Sequence, residues 1–221
     1  MNKKEESQKR SNLYELLGDL DDPRRGQGKR HSLAIILIIV IMTVMSGETK
    51  QRGMADFAKR HKKEIVKELK IPKKIVPSRA TIGRVLRKIN FDQLSEIFYQ
   101  WTIQRIDVKK GSWCSLDGKA IKGTVTNGCD STQSFVSLVS LFLSKEKQVL
   151  STGKINNKKE SEIPMVRKLI KMLDLEGVIF TIDALHCQSE TAKIIVESNN
   201  DYVLSAKENQ PKLLQQLKKT L

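Results

Sequence analysis

Cysteine is scarce. The chain has three, Cys114, Cys129 and Cys187, and no two of them form a C-x-x-C pair. That excludes a disulfide scaffold and a tetrahedral zinc knuckle, and it fits a reducing, cytosolic compartment. Glycine and proline together make up 17 of 221 residues, too few for a collagen-like or low-complexity chain. Wholesale disorder is excluded by the apolar periodic segments that run along most of the sequence. No apolar signal-peptide core occurs in the first 30 residues, which carry Glu5, Glu6, Asp19, Asp21 and Asp22 instead. A long hydrophobic run is also missing. Leu33 to Met45 is apolar apart from Thr43, but its 13 residues fall short of the roughly 20 that span a bilayer. Ser32 is placed to cap its start and Gly47 to end it, so the expectation is a helix buried by its neighbours, with no membrane partner; a membrane-associated segment is the alternative.

What is present is positive charge, unevenly spread. Forty Lys and Arg face 25 Asp and Glu, a formal net charge of +15. Residues 1–110 hold 25 basic and 13 acidic side chains, whereas residues 111–221 hold 15 and 12. The length and the 39% apolar content allow one or two domains with a real core. A basic N-terminal half beside a nearly balanced C-terminal half suggests a polyanion-binding module joined to something else; a merely well-solvated surface is the alternative.

The first half reads as helical. Leu13, Leu16, Leu17 and Leu20 form one helix face, ended by Asp21-Asp22-Pro23 and followed by a basic loop with Arg24 and Arg25. Met54, Phe57, Ala58, His61, Ile65 and Leu69 fall on one stripe of a single basic helix, which makes His61 a core or boundary residue. Ser78 can cap a helix from Arg79 to Ile89, with Ile82, Val85, Leu86 and Ile89 inward and Arg79, Arg84, Arg87 and Lys88 outward. That helix suits the recognition helix of a helix-turn-helix or a plain surface helix. Phe91 to Ile106 forms another, with Leu94, Ile97, Phe98 and Trp101 inward.

Near residue 111 the apolar period drops from 3.6 to about 2. Strands are expected at Trp113–Ile121, Ser134–Ser144 and Gln148–Lys154, with a loop and an Asn-Gly turn over residues 124–130. Helices and strands then alternate: Ser161–Leu173, Val178–Asp183, Ser189–Glu197, Asp201–Ser205 and Pro211–Leu221. The expected fold class is therefore α/β (α+β). A helical domain, residues 1–110, precedes a mixed-sheet domain, residues 111–221, of order β-β-β-α-β-α-β-α.

Two aspartates stand where strands give out. Asp117 follows Ser112 to Leu116, and Asp183 closes Val178 to Ile182. A carboxylate at the end of an apolar strand needs a cation or a hydrogen-bond network. If the first and fourth strands are neighbours, both carboxylates reach one sheet edge, where such oxygens can hold Mg²⁺ ions that also bind phosphate. Two metals there can activate an attacking hydroxyl and stabilise a leaving 3′ oxygen. The alternative is a pair of turn-forming strand terminators, which is credible for Asp117 because Gly118 follows.

Ser115-Leu116-Asp117-Gly118-Lys119-Ala120-Ile121-Lys122-Gly123-Thr124 resembles the first-acid motif of DDE transposases of bacterial insertion sequences, in the H-repeat-associated lineage. Thr181-Ile182-Asp183-Ala184-Leu185-His186-Cys187-Gln188 is similar to the second-acid motif, and Tyr202 to Gln210 to the segment after the fifth strand. Asp22 to His31 resembles the stretch that precedes the apolar helix. The resemblance covers nearly the whole chain. It implies an RNase H-like catalytic domain behind a helical DNA-handling domain, with Asp117 and Asp183 as catalytic, metal-binding acids for Mg²⁺ or Mn²⁺. It also implies double-stranded DNA as partner, and a dimer or larger assembly in the complete enzyme. The third family acid is a glutamate on a later helix. Glu208 lies too close to the fifth strand to match it, and Glu190 and Glu197 lie on the preceding helix. The expectation is a truncated transposase, incomplete at its C-terminus, with little strand transfer of its own; a non-catalytic protein that occupies transposon ends is the alternative.

Around the acids, Lys119 and Lys122 stand close enough to contact a phosphate, or are ordinary solvated lysines. His186 and Cys187 are adjacent with no partner pair, which argues against zinc. His186 and Gln188 are placed to bond the loop entering the next helix, and Cys114 and Cys187 read as small buried residues.

Overall fold

A computed structural model describes residues 12–26, 29–126, 134–156 and 161–220. The chain forms two compact units, Met1–Ile97 and Phe98–Leu221. The sequence places a boundary at residue 110; in the structure Tyr99, Ile103, Ile106 and Val108 pack against the core that holds the sheet.

The first unit is helical: α1 (Leu13–Gly18), α2 (Leu33–Met45), α3 (Gln51–Arg60), α4 (Lys62–Glu68), α5 (Arg79–Lys88) and the start of α6 (Phe91–Ile103). Asn12 and Glu15 form a capping box at α1. Ser32 Oγ accepts the N–H of Ile35 at α2, and Gly47, with φ of 85°, ends that helix. Helix α2 is apolar all round because it lies between two clusters. Leu33, Ala34, Ile36 and Leu37 meet Leu17, Met54, Ile82 and Val85. Ile35 and Ile39 meet Ala58, Ile65 and Ile71 on the other side. Each fully buried isoleucine there is worth about 1.5–3 kcal/mol. The hydroxyl of Thr43 is buried at no cost, since it donates to the Ile39 carbonyl at 2.7 Å. The helix is not buried to its end, however: Met45 is 82% exposed. Among the described residues no helix is long and apolar enough to cross a membrane.

Two expectations fail in this unit. The stripe from Met54 to Leu69 is two helices, broken at His61 (φ −96°, ψ 23°). At that break His61 swings out of the stripe and is exposed, its ring tilted 45° to that of Phe57 with the centroids 4.6 Å apart. Periodicity carries straight across the break, so the apolar pattern alone gives no sign of it. Helix α5 begins where expected, Ser78 Oγ accepting the N–H of Thr81. Its Ile82, Gly83 and Val85 are buried, while Arg79, Arg84, Arg87 and Lys88 are exposed.

The second unit is a five-stranded mixed sheet. Its strands are β1 (Trp113–Thr126), β2 (Ser134–Leu143), β3 (Gln148–Asn156), β4 (Ile179–Ile182) and β5 (Asp201–Leu204), in spatial order β3-β2-β1-β4-β5. The first three pair antiparallel as a meander; β4 joins β1, and β5 joins β4, in parallel. Helices α7 (Glu162–Met172) and α8 (Ser189–Glu197) supply Val166, Leu169, Ile170, Ile194 and Ile195 to one core with Cys114, Leu116, Val139, Leu141 and Phe180. Helix α9 (Pro211–Thr220) follows β5. Asn200 replaces the ladder where β4 begins: Val178 N–H donates to its Oδ1 at 3.0 Å, and its Nδ2 donates to the Leu175 carbonyl at 2.6 Å. The element order β-β-β-α-β-α-β-α is as expected, but β1 runs on through Thr126, past a register break after Ile121. Ser161 precedes α7 without a capping bond from its side chain. The expected Asn127-Gly128 turn and Cys129 lie outside the described residues.

Candidate functional site

Strand alternation sorts the residues of β1 between two environments. Cys114 and Leu116 point into the core, whereas Trp113, Asp117, Lys119 and Ile121 are exposed. The parallel register with β4 pairs Ser115 with Thr181 and Leu116 with Ile182, so the next position sets Asp117 beside Asp183. The row is in contact one step earlier, where the Ser115 and Thr181 hydroxyls lie 2.8 Å apart. Both carboxylates thus stand on the same sheet face where the β1–β4 pairing ends, Asp183 just past β4 and Asp117 inside β1, which does not give out there as the sequence suggests but runs on through Thr126. This juxtaposition needs β1 and β4 to be neighbours, and they are.

Asp183 is already engaged. It caps a single 3₁₀ turn, residues 184–186, with Ala184 N–H donating to Oδ1 at 2.6 Å. Lys207 Nζ stands 3.2 Å from the same oxygen, both side chains 67% exposed. The Ala184 N–H and then the Lys207 ammonium hold the Asp183 carboxyl below the ordinary carboxylate range, so it is ionised at neutral pH. Asn209 fastens the same loop, its Nδ2 donating to the Ala184 carbonyl at 2.6 Å.

Behind the aspartates lies an arrangement that the sequence does not reveal. Glu162, the first residue of α7, covers Gly118; a methyl group on Gly118 would collide with its carboxylate. Glu162 Oε1 is 3.1 Å from Nε2 of His186, a ring only 2% exposed. His186 therefore bonds a helix 24 residues away, not the loop leading into α8. Gln188 likewise accepts from Arg167 of α7 at 2.8 Å. The only sequence signal for Glu162 is a carboxylate in a first helical turn, which is commonplace. Because Gly118 alternates with Asp117, Glu162 sits on the face opposite the aspartates.

The pair suits a hard divalent ion, which takes oxygen ligands and keeps some water. The cation standing at Asp183 now is Lys207. Among the described residues no group of three or more His, Cys, Asp or Glu side chains could hold a metal ion. Of the neighbouring lysines, Lys119 is exposed on the Asp117 face, while the side chain of Lys122 lies outside the described residues. Cys114 is buried, and burial pushes its thiol up to about 11, which suits packing and not nucleophilic attack.

The basic residues of the helical unit fall into two groups. Arg24, Arg25, Arg84 and Lys88 surround one concavity of about 500 Å³. Arg24 is locked in place there: its Nε and Nη2 reach the Asp22 carboxylate at 2.8 and 2.7 Å, and Nη2 also donates to the His31 carbonyl at 2.8 Å. Arg79 and Arg87 do not line that concavity.

Comparison with known proteins bears on this architecture. The family model described as DDE_Tnp_1-associated matches residues 14–102. "Putative transposase YncI" of Escherichia coli strain K12 is 30% identical over 190 residues, 86% of this chain and 75% of that protein. The chain belongs to this transposase family. Its lineage is the H repeat-associated one: "H repeat-associated putative transposase YbfD" of the same strain is 27% identical over 201 residues, 91% of this chain and 78% of that protein. "Putative transposase YncI" of Escherichia coli O157:H7, 31% identical over 190 residues, is longer, and this chain spans 48% of its length. A solved piggyBac transposase synaptic complex with hairpin DNA overlaps 93% of the chain and 52% of that protein, at 14% identity and a TM-score of 0.46.

Proposed function

We propose that this transposase-family chain carries an RNase H-like domain of the DDE type, in which Asp117 and Asp183 hold Mg²⁺ or Mn²⁺ for cleavage and joining of DNA strands. The observation that carries the reading is the β1–β4 register, with its Ser115–Thr181 contact, which brings the two acids to one sheet edge. A divalent ion bound there supplies Lewis acidity for phosphodiester chemistry. The chain's own groups do the rest. The 3₁₀ turn and Lys207 fix the Asp183 carboxylate in its ionised form, and Lys119 offers a point charge to a phosphate near Asp117. The helical unit holds double-stranded DNA through Arg24, Arg25, Arg79, Arg84, Arg87 and Lys88, mainly by phosphate contacts, which position DNA without reading its sequence.

A second reading is supported by the donor set itself. Two carboxylates, one of them paired with a lysine, bind Mg²⁺ less firmly than three would. A protein that occupies DNA without cutting it fits that set. Incubation with supercoiled plasmid and Mg²⁺ or Mn²⁺ separates the two. The catalytic reading predicts slow nicking that disappears in both Asp117→Ala and Asp183→Ala, with DNA binding unchanged in gel shifts. Salt-sensitive binding with no nicking at any metal concentration favours the second reading. Nicking that persists in both variants contradicts the first.

A further inference from the structure

The concavity in the helical unit has a composition that general basicity does not explain. Arg25, Arg30, Arg84 and Lys88 converge on it, and no acidic side chain is among the described residues of its wall. Ser78 and Thr81 line it too, so the N-terminal end of the ten-residue helix α5 opens onto it. Ser78 takes up one of the N–H groups that a first helical turn leaves without a partner; the rest are donors for an anion. The wall also contains His31. Its ring is 6% exposed, and its Nδ1 is buried without a hydrogen-bond partner. A buried polar atom with no partner is costly and rare.

We propose that this concavity is a phosphate-oxyanion site that takes one phosphodiester group of duplex DNA, held by Arg25, Arg30, Arg84 and Lys88 at the start of α5, with the His31 ring packed in its wall. The proposal rests on the DNA-binding half of the function proposed above and sharpens it: one phosphate is bound in a built pocket, while the remaining basic residues contribute only a diffuse field. The size fits, since about 500 Å³ accommodates a phosphate together with the sugars on either side. Burial, and then the charges of Arg30 and Arg24, hold His31 below the usual histidine value, so the ring is neutral at pH 7 and adds no further positive charge to the wall. Arg24, pinned by Asp22 and the His31 carbonyl, keeps the loop that carries Arg25 and Arg30 in place.

The test uses the full chain and pairs of substitutions on one helix that remove equal charge. Arg84→Ala with Lys88→Ala strips the pocket; Arg79→Ala with Arg87→Ala strips the same helix outside it. Binding of a fluorescent 20-base-pair duplex is read by anisotropy across a salt series. In parallel, inorganic phosphate is titrated against the ¹⁵N resonances of the His31 ring, assigned with His31→Gln. The pocket pair is expected to weaken DNA binding about tenfold more than the control pair, equivalent to one charge-assisted bond. It should also flatten the salt slope by about one phosphate contact. Phosphate should shift the His31 resonances in the parent and not in the pocket pair. Equal losses in the two pairs, or a His31 ring indifferent to phosphate, overturn the proposal. A parent chain that binds no duplex while phosphate still shifts His31 overturns DNA as the occupant, and with it the DNA-binding reading, and points to a free phosphorylated ligand.

Discussion

The helical unit gathers cations round a concavity, beside which the Asp22 carboxylate is committed to Arg24. In the sheet unit the opposite arrangement holds: two carboxylates meet on one sheet face, and Lys207 is committed to Asp183 while Lys119 stands exposed on the Asp117 face. Each unit thus gathers one sign of charge and ties down part of it with an opposite charge. The supports differ. In the helical unit the charges hang on a loop and one helix face, positioned by packing round α2. In the sheet unit they follow from strand register, and register is enforced by every buried residue on the other face.

The largest expected effect therefore lies in the sheet. Phe180, fully buried on β4, anchors the strand that carries Asp183. Phe180→Ala should destabilise this unit by about 3–5 kcal/mol. Urea unfolding followed by tryptophan fluorescence reads it, because Trp101 and Trp113 both belong to this unit. A cost below about 1 kcal/mol would mean that β4 is not held by its core face.

A smaller effect is expected at the counterpart in the helical unit. The Arg24 side-chain hydrogen bonds hold the Asp22 carboxyl below its ordinary value, against a partly opposing effect of burial. A carboxyl lowered in the folded state stabilises fully above its unfolded value, near pH 4, and loses that contribution as pH falls through the folded value. Asp22→Asn should therefore cost about 1–3 kcal/mol at pH 7, by removing the ionised acceptor of a guanidinium whose side chain is only 6% exposed. The difference between parent and variant should shrink as pH drops below 4. Thermal unfolding at pH 7 and pH 3 checks this, and a gap that widens in acid breaks the comparison.

How much of this was legible in the sequence depends on the range of the interaction. Helix α2 was legible to its ends because Ser32 and Gly47 are local signals, and the strand–helix alternation after residue 111 was legible because it is a change of period. The break at His61 was not, since both helices present apolar residues on a continuous stripe. Asp183 stood out as a carboxylate closing an apolar strand and Asp117 as one that follows an apolar segment, although β1 continues past it; their meeting depended on β1 and β4 pairing across more than sixty residues. The Glu162–His186 bond, the Lys207 contact and the role of His31 in a pocket wall are products of tertiary packing between segments with no shared pattern. His31 had one faint local mark, its place just before the cap of a buried helix.

The account stands or falls on Asp117 and Asp183 sharing a divalent ion. Fe²⁺ substituted into the Mg²⁺ position, with ascorbate and peroxide, cuts the backbone only close to where the metal sits. The account predicts two cuts, one near residue 117 and one near residue 183, both suppressed by excess Mg²⁺ and both lost in either Asp117→Asn or Asp183→Asn. Cutting at one of these places without the other, or at neither, would contradict it.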